Sequence, residues 1–90
     1  MSDHHSVRPE DILPDGLNQT TINGETIRKG TVAAFLANVD VLEDPNTTAE
    51  QRQDIVKALR ELASAVIAVG LHKHVTFKNL IVEQILVDAE

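Results

Sequence analysis

The chain has 90 residues, 42% hydrophobic and 24% charged, with no cysteine and a formal net charge of −6. That length suits one small unit of about three helices and excludes a two-domain enzyme. The missing thiols exclude disulfides, thiolate catalysis, iron–sulfur ligation and Cys-based zinc.

The acid excess lies in the first half, where residues 1–50 hold nine Asp/Glu against three Lys/Arg. An acidic chain lacks the footprint for a phosphate backbone. With two Phe and no Tyr or Trp it also lacks a stacking platform for bases, so nucleic acid is not an expected partner. The longest apolar run, Ala65 to Leu71, has seven residues, far fewer than the ~20 that cross a bilayer. The start, MSDHHSVRPEDILPDG, shows no basic stretch leading into an apolar block, so neither a membrane span nor a secretory leader is expected. A cytoplasmic location follows as the expectation, and the glycosylation acceptor patterns at Asn18 and Asn46 then carry no consequence.

Residues 1–16 contain Pro9, Pro14, Gly16 and several charges, a composition that buries too little to offset its ordering entropy. A flexible arm is expected there, with His4 and His5 as a solvated pair. A β-hairpin is expected over about 18–28, because Asn23-Gly24 suits a type I′ turn between two β-prone stretches. Such a ribbon is marginal alone and must rest on helices through Ile22 and Ile27.

Val32, Phe35, Val39 and Leu42 repeat at helical spacing and predict a helix over about 31–43, capped by Thr31 and stopped by Pro45. Leu36 and Val41 widen its seam, and Ala33, Ala34 and Ala37 thin its other side enough for a second face to be covered. Thr47-x-x-Glu50 reads as a capping box opening a helix over about 48–69, with Ile55, Leu59, Leu62, Val66 and Val69 in one stripe and Gly70 as the stop. Arg52, Asp54, Lys57, Arg60 and Glu61 read as its wet face, supported by i,i+3 and i,i+4 pairs. From Leu71 to Phe77 the residues alternate like a strand or short link, and a third helix is expected over about 77–88 with Phe77, Ile81 and Ile85 in one column. The fold class is therefore mainly α, three helices with a short N-terminal hairpin.

Three constellations invite a ligand. On a strand, His72 and His74 would face one side, as two metal ligands would, but a third is not specified. Arg28, Lys29 and Thr31 precede a helix whose free N–H groups attract anions, although the order Lys29-Gly30-Thr31 is not that of a phosphate loop. Asp44-x-Asn46-x-Thr48-x-Glu50 alternates oxygens like a calcium loop, yet it carries Ala49 and Ile55 where such loops need Gly and Glu. No nucleophile and base are paired: Ser2 and Ser6 lie in the arm, Ser64 inside a helix, and Asp40, Glu43 and Asp44 crowd a helix end. Neither an enzyme nor a cofactor is expected.

What remains is surplus apolar surface, since 22 of the 59 residues from Val32 to Glu90 are Val, Ile, Leu or Phe. A short chain cannot hide them all. The expectation is a non-enzymatic interaction or regulatory module acting as a homodimer, or with another protein. Its interface would be Phe77, Leu80, Ile81, Ile85 and Leu86, joined by Ala37 and Val39. The alternative is a small-ligand, anion or metal binder.

Overall fold

In a computed structural model, Arg8 and residues 18–90 are described. The expected arm, with His4 and His5, lies outside those residues apart from Arg8.

Strands β1 (Gln19–Ile22) and β2 (Glu25–Arg28) pair antiparallel with Thr20 opposite Ile27 and Ile22 opposite Glu25. The turn between them takes positive φ at both central positions, 49° at Asn23 and 80° at Gly24, which is what a type I′ turn demands. In this register Ile22 and Ile27 share a face, and they pack on Ala65 and Ala68 of the long helix, as the marginal stability of a lone ribbon requires.

Helix α1 (Thr31–Glu43) begins where expected but is not capped by Thr31. Its N-cap is Gly30 in the left-handed conformation, φ 84°, and no side chain caps it. The chain leaving β2 must reverse there, and glycine takes that backbone without the Cβ penalty. Thr31 instead donates its hydroxyl to the Arg28 carbonyl at 2.7 Å. The helix ends before Pro45 with Asp44 extended, the conformation proline imposes on its predecessor. Phe35, Val39 and Leu42 face the core; Leu36 and Val41 do not, and the alanine side stays uncovered.

Helix α2 (Ala49–Val69) starts one residue later than the expected capping box. Thr48 is the N-cap: its hydroxyl accepts from the Gln51 N–H at 3.1 Å, and the Gln51 side chain accepts from the Thr48 N–H at 2.9 Å. Thr47 is excluded because it belongs to the preceding turn, with its hydroxyl on the Val41 carbonyl at 2.6 Å and its N–H on the Asp44 carbonyl. Gly70 closes α2 at φ 88°, as its position predicts.

Beyond Gly70 the alternating segment forms no strand. Leu71–Lys73 is a turn of 3₁₀ helix, and the chain then runs back to the start of α3 (Leu80–Ala89). The expected start at residue 77 is three residues early. The Asn79 carboxamide oxygen accepts from the Ile81 and Val82 N–H groups at 2.9 and 3.2 Å, satisfying donors that would otherwise lack partners. Phe77 precedes the helix, and its N–H donates to the Glu83 carboxylate at 2.7 Å.

All three helices meet in one core, where Phe35, Leu59, Val66 and Val82 are fully buried. The Phe77 ring stands edge-on to Phe35, centroids 5.7 Å apart. Among the described residues no helix is long and apolar enough to cross a membrane.

Candidate interaction surface

Helix α3 carries large aliphatic residues around most of its girth, and packing decides which of them reach solvent. Val82, Ile85 and Leu86 turn into the core, with Ala89 packed against it. At 100° per residue, Val87, Leu80, Gln84, Asp88 and Ile81 fall within an outer arc of about 120°. That arc is open: Leu80 is 81% exposed, Ile81 53% and Val87 53%.

The interface set expected from sequence is thus divided. Leu80 and Ile81 are available to a second molecule, whereas Ile85 and Leu86 are consumed inside their own subunit and Phe77 is half-buried against Phe35. Val39 is also buried, while Ala37 is exposed. Val87, outside the expected set, is exposed as well.

Beside Ile81 a cleft of about 410 Å³ runs between α2 and α3, floored by Leu42, Val56 and Ile81 and edged by Arg52, Lys57 and Arg60. A smaller depression of about 270 Å³ shares Arg60 and Ile81 with it and is lined further by Leu80, Gln84 and Asp88. The three cations were expected to support α2 through neighbouring acids, but among the described residues they make no ion pair; elsewhere the His72 Nε2 lies 3.5 Å from the Glu90 carboxylate. Arg52 only grazes the Asp44 carbonyl, at 3.5 Å. Sequence did hold a signal for this edge, because residue 52 falls in the same helical column as Val56, Leu59 and Ala63. A cation in an apolar column borders a face that something covers or leaves open.

The other candidates are not assembled. His72 and His74 sit on and just after the 3₁₀ turn, so the strand geometry that would align them is absent. No group of three His, Asp or Glu suited to a metal occurs among the described residues. Among those residues the buried Nδ1 of His72 has no hydrogen-bond partner. The Thr31 hydroxyl is occupied by the Arg28 carbonyl, and Arg28 and Lys29 are exposed. Asp44 of the calcium-like run uses its carboxylate to accept from the Asn46 N–H at 2.8 Å, closing the turn after α1.

Comparison with models of known protein families, with characterised proteins and with solved structures finds no match.

Proposed function

We propose that this chain is a non-enzymatic interaction module of the cytoplasm that works as a homo-oligomer through apolar helix surface. The supporting observation is the outer face of α3, where three large aliphatic side chains, Leu80, Ile81 and Val87, stand more than half exposed on one arc. Scattered apolar residues are normal on a protein surface, but three large ones on one arc beside an apolar-floored cleft suit a place of contact. Covering about 400 Å² of such surface contributes about 10 kcal/mol before association entropy is subtracted. Such burial gives α3 a reason to be more apolar than its own core demands.

Light scattering with refractive-index detection measures the outcome directly, since the chain has no Tyr or Trp for absorbance. A mass at least twice 9.9 kDa that falls on dilution is expected. A single chain at millimolar concentration overturns the proposal.

A further inference from the structure

We infer that Asn23-Gly24 is a self-modifying latch, in which deamidation of Asn23, with water as the only co-reactant, releases the hairpin from α2. Of the chain's asparagines, Asn23 alone precedes a glycine. Asparagine is thermolabile because the next backbone nitrogen can reach its side-chain carbonyl carbon, and glycine obstructs that approach least. Both residues are exposed, and nothing lies within 4 Å of where a Cβ on Gly24 would sit, so neither a side chain nor a neighbour screens the turn at that position.

The Gly24 nitrogen gives its proton to base and attacks the Asn23 side-chain carbonyl carbon. The new C–N bond closes a succinimide ring, while the bond to the carboxamide nitrogen breaks and that nitrogen leaves as ammonia. Water then adds to one of the two ring carbonyls and opens the ring, leaving either aspartate or its isoaspartyl isomer. Water enters, ammonia leaves, and nothing is oxidised or reduced.

The docked hairpin opposes this step. The Asn23 Nδ2 donates to the Ala68 carbonyl at 2.7 Å, which holds the carboxamide toward the end of α2, whereas attack requires it to swing back over its own backbone. That contact breaks when Ile22 and Ile27 lift from Ala65 and Ala68, so conversion proceeds from the open hairpin at a rate set by how often it opens. The product cannot latch again. An aspartate carboxylate has no N–H for the Ala68 carbonyl and sets a charge at the negative end of the α2 dipole. The isoaspartyl form also adds a carbon to the backbone of a two-residue turn, which disturbs the pairing of Ile22 with Glu25. The step runs one way, so the share of released hairpins grows with the age of the chain.

The test holds the full-length chain at mildly alkaline pH and physiological temperature, and follows position 23 by peptide mass spectrometry and by labelling with an isoaspartyl methyltransferase. Wild type is expected to gain, slowly, the mass difference between an amide and an acid at that position. Ile27→Ala and Ile22→Ala loosen the hairpin without touching the dipeptide, and are expected to convert about tenfold faster or more, with helicity checked by far-UV circular dichroism. The converted fraction, separated on ion exchange by its added negative charge, is expected to lose amide protection at the Lys29 N–H while the amides around Leu59 and Val66 keep theirs. Equal rates in wild type and both variants, or conversion that leaves the hairpin amides protected, overturns the latch. A wild-type chain that stays unconverted while the same chain unfolded in urea converts completely overturns the modification site itself.

Discussion

The side chain of Asn23 serves the turn it occupies and also the end of a helix 45 positions away. Its backbone takes φ 49°, which asparagine tolerates better than most residues, and its Nδ2 donates to the Ala68 carbonyl at 2.7 Å. That carbonyl is one of the last four of α2, which lack partners within the helix. The hairpin turn is therefore also a cap. Replacing Asn23→Gly keeps the positive φ and removes the donor, and should cost about 1 kcal/mol of stability. Asn23→Asp sets a carboxylate against a carbonyl at the negative end of the helix dipole, and should cost about 2 kcal/mol. Urea unfolding followed by far-UV circular dichroism gives both values; equal stability for wild type and Asn23→Gly would show that the contact contributes nothing. The turn itself is legible from two adjacent residues. Its second partner is not, because spacing within one sequence carries no information about which distant carbonyl a side chain will find.

At the scale of elements, boundaries were legible wherever a backbone restriction acts alone. Pro45 and Gly70 stop α1 and α2 as their covalent geometry requires. Starts are harder, because Thr47-x-x-Glu50 and Thr48-x-x-Gln51 both fit the capping pattern and only the tertiary contact of Thr47 with Val41 separates them. The distinction is measurable. Thr48→Ala should cost about 1 kcal/mol by thermal or chemical unfolding, and Gln51→Ala a smaller amount, whereas Glu50→Ala should fall within about 0.5 kcal/mol of wild type. A larger loss at Glu50 than at Gln51 would restore the earlier frame. The same competition set the start of α3, where the apolar column through Phe77 pointed to an earlier turn and the Asn79 cap prevailed. For the candidate surface, sequence announced too much apolar material but misplaced part of it. Residues 80–82 and 85–87 are aliphatic on both sides of α3, so periodicity cannot say which side meets Phe35, Leu59 and Val66.

For the molecule as a whole, the division of the described buried side chains into two clusters sets how it should open. The larger joins α1, α2 and α3 through residues such as Phe35, Leu59, Val66 and Val82, so no one of these helices keeps its apolar face covered without the others. Among the described residues the smaller holds Ile27, Ala65 and Ala68, with Ile22 against them, and it attaches the hairpin beside the Asn23 contact. Among the described residues two isoleucines and one side-chain hydrogen bond secure a ribbon that is marginal alone, so the hairpin should detach at a free energy well below that of global unfolding. This bounds the effect of mutation. Leu59→Ala removes a fully buried side chain from the shared core and should cost about 2–5 kcal/mol of global stability. Ile27→Ala removes a similar volume, yet its global cost cannot exceed the free energy with which the hairpin docks, because beyond that point the ribbon separates and the helices persist. Amide hydrogen exchange followed by NMR distinguishes the two. In Ile27→Ala the cross-strand amides, and the Lys29 N–H bonded to the Asn18 carbonyl, should lose protection while those around Leu59 and Val66 keep theirs. Equal loss across hairpin and helices would mean that the two clusters unfold as one, and that the ribbon is as much a part of the cooperative core as α3.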